Sequence, residues 1–168
     1  MEDRPRADVS PFDDLVEREF AQVVALALAI LRDGDDAVDV AQETMMRAFE
    51  RWPDVSRLDR PGAWCRRVAL NLVTDRLRSR TRARRLVDRL RTHRRDSLAG
   101  VDDDVWDDAF WAEVARLPPR QRSVIVLHYV NDLAVAEVAG VLEVPEGTVK
   151  SDLSRARSRL ASRLGGVT

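Results

Sequence analysis

The sequence is poor in the residues on which most catalytic and metal sites depend. Among its 168 residues are one cysteine and two histidines. Cys65, His93 and His128 do not stand at the spacing of metal ligands or of a nucleophile and its base. No glycine-rich phosphate loop is present. We therefore expect no enzyme activity, no metal and no cofactor. A single cysteine also excludes an internal disulfide, which is typical of a reducing compartment.

Long apolar runs and strand-like runs are also missing. No stretch of eighteen apolar residues occurs, so no membrane span is expected, and the acidic N-terminal segment has no apolar signal region. A cytoplasmic location is the expectation. Aromatic residues make up 5% of the chain, while hydrophobic residues reach 45% and can form a core. Because runs rich in β-branched residues are almost absent, we predict an all-α fold.

Lysine is nearly absent, since 27 of the 28 basic residues are arginine. A GC-rich genome would produce such a bias, so arginine content alone says little, but the arginines are clustered. The net charge is −8 over residues 1–56, +11 over 57–95, −6 over 96–116 and +2 over the remainder, which sums to −1. Blocks of this kind predict a nucleic-acid surface in the middle of the chain and different partners at its front.

The apolar periodicity predicts two small helical domains joined by a linker. The first domain, residues 1–91, has a helix that begins after Pro11 and runs to about Leu31, one from near Asp35 to before Pro53, and one from near Pro61 into the arginine-rich tract. The second helix takes its apolar positions from a set that includes Phe49 and Trp52, and a loop covers 54–60. Residues 92–105 form an acidic, flexible linker, and residues 106–168 form the second domain.

The second domain contains the pattern of a helix-turn-helix. A first helix runs near Ala134 to Leu142, and Pro145 suits the first turn of a second helix. On that second helix an apolar stripe faces the core, and the opposite face carries hydroxyls and cations that can reach phosphates and base edges. The stripe consists of Val149, Leu153, Ala156, Leu160 and Leu164. The other interpretation of this segment is an ordinary amphipathic helix pair in a helical core.

Two segments resemble known regions in their expected order. DAVDVAQETMMRAFERW (36–52) together with RPGAWCRRVALNLVTDRLRSR (60–80) resembles the second conserved region of bacterial sigma factors. LPPRQRSVIVLHYVNDLAVAEVAGVLEVPEGTVKSDLSRARSRL (117–160) is similar to their fourth region. The absence of the third region resembles the extracytoplasmic-function group. The first domain then corresponds to region 2 and the second to region 4.

The resemblance implies a factor that binds core RNA polymerase, brings it to promoters and helps to open the DNA. Its partners would be the largest-subunit coiled coil and the flap of the polymerase, promoter DNA, and an anti-sigma protein. The resemblance assigns Asp39, Gln42, Glu43 and Arg47 to the polymerase-docking face. Without it, a solvated helix face with an internal Glu43–Arg47 pair would be the preferred interpretation.

In the family, the next helix reads and melts the minus-ten element. The resemblance implies that Asn71 contacts an extruded base, and that nearby arginines hold phosphates along the strand. These arginines are Arg66, Arg67, Arg76, Arg78 and Arg80. Trp64 could stack on a base, but a core position is preferred. Asp75 either holds a neighbouring arginine or is an exposed helix acid.

In the fourth region, the positions that read the minus-thirty-five element match Lys150, Ser151, Ser154 and Arg155. Three further arginines are implied as phosphate contacts, namely Arg120, Arg122 and Arg157. Asp152 stands where the family usually has a cation, and we expect an acid beside DNA to repel phosphate.

Two other classes of protein remain open at this point. A stand-alone DNA-binding regulator with a helical dimerisation domain would keep the helix-turn-helix but would not need Asp39, Gln42, Glu43 and Asn71 in this order. A protein-only adaptor would not need the +11 block over residues 57–95. Dependence of promoter binding on core polymerase distinguishes these classes from a sigma factor.

Overall fold

The computed structural model of the chain describes residues 10–90 and 108–165, and within these ranges it forms eight α-helices and no strand. The predicted all-α fold is confirmed. The predicted linker, residues 92–105, lies outside the described ranges. None of the described helices combines the length and the apolar character needed to cross a membrane. The helices are α1 Pro11–Leu31, α2 Gly34–Glu50, α3 Trp52–Val55, α4 Pro61–Leu90, α5 Asp108–Ala115, α6 Pro119–Tyr129, α7 Val135–Leu142 and α8 Glu146–Leu164.

The first half of the molecule is a bundle in which α1, α2 and α4 pack on one another. Local signals set the helix ends. The Ser10 hydroxyl accepts a hydrogen bond from the Phe12 amide, and Asp33 Oδ1 accepts one from the Asp36 amide at 2.9 Å, so both helices begin at an N-cap side chain. Between them Arg32 has a positive φ of 55°, a left-handed turn that ends α1.

One predicted boundary differs from the structure. We expected the second helix to end before Pro53 and a loop to follow, but the chain turns at Arg51 and forms the short helix α3 over Trp52–Val55. Proline is tolerated there because the first turn of a helix has no partner for the N–H group that proline lacks. Val55 is buried by this arrangement.

The second half places α5, α6 and α7 around α8. The Glu137 side chain accepts a hydrogen bond from the Ala134 amide at 2.9 Å, which caps the start of α7. Glu143 ends α7 in the left-handed region with φ of 54°. Pro145 is the residue before the first turn of α8 rather than within it. The helix-turn-helix is therefore present with the predicted apolar stripe facing inward.

The two halves contact each other mainly where α4 meets α7, where α1 meets α6 and where α1 meets α5. Asn131, in the turn after α6, donates through Nδ2 to the Gln22 carbonyl at 2.9 Å and to Gln22 Oε1 at 3.1 Å. Asn131 is buried. The arrangement of the halves was not part of the sequence-based predictions.

Candidate polymerase and promoter interfaces

The predicted docking face of α2 is on the surface. Asp39 and Gln42 are exposed, because the core side of α2 is formed by other positions, among them Val40, Ala41 and Ala48. Glu43 Oε1 accepts a hydrogen bond from Arg47 Nε at 2.9 Å, and both side chains are nearly half exposed. The internal pair considered in the sequence analysis is thus formed, and the acid and the base both remain accessible to a partner helix.

Three large apolar side chains extend this face. The sequence did not predict that they are exposed. Val38, Met46 and Phe49 are 38%, 59% and 66% exposed. With Gln42 they follow the spacing 38, 42, 46 and 49, which places them on one line along the helix. Exposed apolar residues aligned in this way mark an interaction surface. We name Val38, Asp39, Gln42, Glu43, Met46, Arg47 and Phe49 the α2 face.

Phe49, which the sequence groups with the apolar positions of the second helix, is on the surface. Position 49 lies about 100° around the helix from the buried Ala48, which turns its ring outward. The ring still contacts Phe12 edge to face, with 5.2 Å between the ring centroids, and Phe12 contacts Trp52 in the same way at 5.3 Å. An aromatic cluster therefore supports one end of the α2 face.

On α4, Asn71 is exposed, as a base-contacting residue must be. Arg67, Asn71 and Arg78 are spaced by four and seven residues and so share one side of the helix. Arg78 is 72% exposed and lies 3.6 Å from Asp75, an exposed pair within the helix. Trp64 is partly buried against the core. We name Asn71, Asp75 and Arg78 the α4 face.

Two of the predicted phosphate contacts lie in ion pairs inside the first half. Arg66 pairs with Glu19 at 3.0 Å, and both side chains are close to nine-tenths buried. Arg80 donates to the Leu31 carbonyl at 3.0 Å and to Asp33 at 3.1 Å, and it also pairs with Asp36.

Arg80 thereby ties α4 to the junction of α1 and α2. Arg76 lies 4.0 Å from Asp36 on the same side and is partly buried. In the described structure, Arg66 and Arg80 are structural links, whereas Arg78 is displayed to solvent.

Arg67 reaches from α4 to the helix-turn-helix. Its Nε donates to the Val141 carbonyl at 2.9 Å and its Nη2 to the Gly140 carbonyl at 3.0 Å, while Nη1 pairs with Glu143. The guanidinium therefore satisfies the carbonyls at the end of α7, which have no partner within their own helix. This places the turn of the helix-turn-helix beside the α4 face.

The outward face of α8 is accessible at Lys150, Ser151, Ser154 and Arg155. Lys150 lies 3.9 Å from Glu146 one turn earlier, a pair exposed on both sides. We name these four residues the α8 face. Hydroxyls and long cations on one exposed helix side suit contact with phosphates and base edges.

The three predicted phosphate contacts near α8 have different surroundings. Arg157 Nε donates to the Tyr129 hydroxyl at 2.7 Å, and its guanidinium carbon lies 5.5 Å from the centre of that ring. Arg122 donates to the Leu117 carbonyl at 3.3 Å, and burial lowers the pKa of its guanidinium below the usual range. Arg120 is more than half exposed and pairs with Asp152.

We expected Asp152 to lie beside the DNA, but the structure places it away from the outward face of α8. Its side chain is 3% exposed and lies on the inward side of α8, where Arg120 Nε donates to Oδ2 at 2.5 Å. Asp152 is neutralised by Arg120 and does not lie on the outward face of α8. It therefore does not repel a phosphate on that face. The sequence alone left the direction of this side chain open.

A helix-turn-helix with an exposed cationic face, joined to a helical bundle with a separate docking face, defines a two-part transcription factor. Residues 15–83 match the protein family Sigma-70 region 2, and residues 107–160 match the family Sigma-70, region 4. The chain is similar to the ECF RNA polymerase sigma factor SigW of Bacillus subtilis, with 28% identity covering 95% of this chain and 91% of SigW.

It is also 35% identical to the ECF RNA polymerase sigma factor SigM of Mycobacterium tuberculosis, covering 92% of this chain and 77% of SigM. Its fold matches the sigma factor RpoE in a complex with the anti-sigma factor NepR from Bartonella quintana. The TM-score is 0.71 and the identity 22%, covering 94% of this chain and 98% of RpoE.

The chain belongs to the ECF sigma factors of RNA polymerase, which bind the core enzyme and direct promoter-specific transcription initiation. Membership in this family excludes the stand-alone regulator and the protein-only adaptor.

Proposed function

We propose that the chain divides the work of initiation among its three exposed faces. The α2 face docks on the coiled coil of the largest polymerase subunit, the α4 face captures an unstacked minus-ten base and helps to melt the promoter, and the α8 face reads the minus-thirty-five element. The proposal rests on solvent exposure. Asn71 and the α2 face are exposed on the first half of the molecule, and Lys150 and Arg155 are exposed on the second half.

The chemistry of each face fits its proposed role. A stripe of apolar side chains flanked by Asp39, Glu43 and Arg47 combines a desolvated centre with a polar rim. An exposed amide at Asn71 can donate and accept at a base edge, and Arg78 supplies charge for the strand. Lys150 and Arg155 can approach guanine or phosphate oxygens in a major groove.

The domain division proposed here is a region 2 unit over 1–91, a linker over 92–105 and a region 4 unit over 106–168. The family matches at 15–83 and 107–160 support this division. We also propose that the chain acts in the cytoplasm and performs no catalysis of its own, because the phosphoryl transfer of transcription belongs to the polymerase.

An anti-sigma protein is a further proposed partner. The similar RpoE structure is of a complex with the anti-sigma factor NepR, which supports a binding partner of this class. We also propose that region 4 of the chain binds the flap of the polymerase. Family membership supports this proposal.

The experiment that tests the proposed function is run-off transcription with purified core polymerase and this chain, followed by mapping of the start sites. We expect discrete transcripts that appear only when the chain is added to core. Promoter binding by the chain alone that is as specific as binding by the holoenzyme would contradict the proposal.

A further inference from the structure

Asp152 is a buried carboxylate in the middle of the helix that we propose reads DNA. It is 2% exposed, while Ser151 before it and Ser154 after it are on the surface. A buried carboxylate is costly unless a charged or hydrogen-bonding partner compensates it. The described structure provides one such partner, Arg120 of α6.

The pair leaves most of the Arg120 guanidinium accessible. Nε donates to Asp152 Oδ2 at 2.5 Å, yet the Arg120 side chain is 56% exposed. Among the described residues, no hydrogen bond uses its two terminal nitrogens. A guanidinium has five N–H donors in a fixed plane, so one edge can be held by a carboxylate while the others bind a second anion.

The position of α6 is fixed next to that of α8. Gln121, the residue after Arg120, accepts a hydrogen bond through Oε1 from Arg159 Nη1 of α8 at 3.1 Å and is buried. Asp152 itself directly follows Ser151 and precedes Arg155 by less than one turn. The Arg120 guanidinium therefore contacts a residue of α8 that is flanked in sequence by members of the α8 face.

We propose that Asp152 is a positioning residue that holds Arg120 ready to bind a DNA backbone phosphate beside the α8 face. The inference rests on the proposed function of that face. A long arginine side chain normally loses much rotamer freedom when it binds, and a buried carboxylate that fixes it beforehand removes part of that cost. The negative charge at position 152 thus supports DNA binding.

The test compares holoenzymes reconstituted from core polymerase and four variants of the full chain: Arg120→Gln, Arg120→Lys, Asp152→Asn, and the double variant Arg120→Gln with Asp152→Asn. The probe is a fluorescent promoter duplex that the wild-type holoenzyme transcribes, and binding is measured by anisotropy over a series of salt concentrations. Arg116→Gln, an exposed arginine that pairs with Glu113, is the matched control.

Loss of one phosphate contact reduces the magnitude of the negative slope of log K against log salt by about one, and it weakens binding similarly on all sequences. We expect Arg120→Gln to show this loss, and Asp152→Asn to show most of it. The double variant should be no worse than Arg120→Gln, because both changes remove the same contact. Arg120→Lys should also weaken the contact, since an ammonium lacks the planar fork that lets one edge of a guanidinium bind Asp152 while another edge binds a phosphate.

A merely structural role for Asp152 would lower the unfolding temperature without changing the salt slope, so both quantities are measured. Additive losses in the double variant, or a wild-type slope in Asp152→Asn, would overturn the inference. If Asp152→Asn does not fold, wild-type binding by Arg120→Lys overturns it and loss of the contact supports it. Failure of the wild-type holoenzyme to bind its promoter would instead overturn the proposed function, and the inference with it.

Discussion

Gly62 lies against a buried ion pair in the first half of the molecule. A Cβ atom at this position would lie 2.3 Å from Glu19 Oε1, the carboxylate that pairs with Arg66. The glycine stands in the first turn of α4, and its missing side chain leaves room for an ion pair that is close to nine-tenths buried. The sequence motif gives no sign of this requirement.

Replacement of Gly62 by alanine should therefore destabilise the protein. We expect Gly62→Ala to lower the free energy of unfolding by about 1–3 kcal/mol, the usual cost of leaving a buried polar group without its partner. Gly147→Ala is the matched control, because it occupies the same position in α8 and a Cβ there meets nothing within 4 Å. The control should be neutral or stabilising by up to about 1 kcal/mol. Urea unfolding of both variants checks this, and equal stability of the two would refute the steric argument.

Asn71 is the exposed amide on which the proposed melting depends. Asn71→Ala should leave core binding unchanged but reduce the reactivity of promoter thymines toward permanganate. The reason is that the α4 face then offers less to offset the few kcal/mol that unstacking a base costs. Ser79→Ala, another exposed position of α4, is the control. An open complex of normal reactivity in Asn71→Ala would remove this residue from the proposed role.

The α2 helix uses both of its sides. The inward side packs against α1 and α4, while the outward side carries an acidic and apolar stripe that remains largely exposed, apart from the edge contact of Phe49 with Phe12. A helix whose exposed side includes a 66% exposed phenylalanine is best explained by a partner that covers it. We propose that this partner is the polymerase.

Substitutions on the α2 face should weaken association with core polymerase without unfolding the chain. We expect Glu43→Arg and Phe49→Ala each to cost about 1–2 kcal/mol or more, as central interface residues do. Leu58→Ala is the matched control, since Leu58 is also an exposed apolar residue, at 44%, but lies outside the α2 face. Pull-downs and competition binding with purified core measure the effect. Wild-type retention of both variants would mean that the docking surface lies elsewhere.

At the scale of the whole molecule, Arg67 takes part in the contact between the halves, although the family resemblance implied that it binds a DNA phosphate. Arg67 binds the Gly140 and Val141 carbonyls and Glu143, so it is unavailable to a phosphate while the halves touch. The same contact places the turn between α7 and α8 beside Asn71. Separation of the halves would therefore free Arg67 beside the α4 face, which is already exposed.

Removal of the Arg67 side chain should shift the chain toward separated halves. We expect energy transfer between dyes on Glu50→Cys and Ser162→Cys to fall in Arg67→Ala and to stay at the wild-type value in Arg78→Ala, whose partner Asp75 is in its own helix. Selective labelling is feasible because burial raises the pKa of the Cys65 thiol to about 12, which keeps it unreactive. Unchanged transfer in Arg67→Ala would show that other contacts, such as Asn131 with Gln22, hold the halves together.

Local patterns were sufficient for much of the fold. The ends of α1, the start of α4 and the helix-turn-helix followed from proline positions, N-cap residues and apolar periodicity, all of which act within a few residues of the chain. The family resemblance added the roles of the α2, α4 and α8 faces. The exposure of Phe49 could not be predicted from its apolar character, because one residue of helical register, about 100°, decides between core and surface.

The sequence by itself determined five of the helices described (α1, α2, α4, α7 and α8), the inward stripe of α8 and the sigma-factor family, because each depends on neighbouring residues or on ordered motifs. The tertiary structure alone decided what the arginines do. The same side chain can hold a phosphate, cap a helix as Arg67 does, join two helices as Arg80 does, or be held by a buried acid as Arg120 is. Which of these applies depends on residues distant in sequence, since a charge acts on whatever the fold brings within a few ångströms.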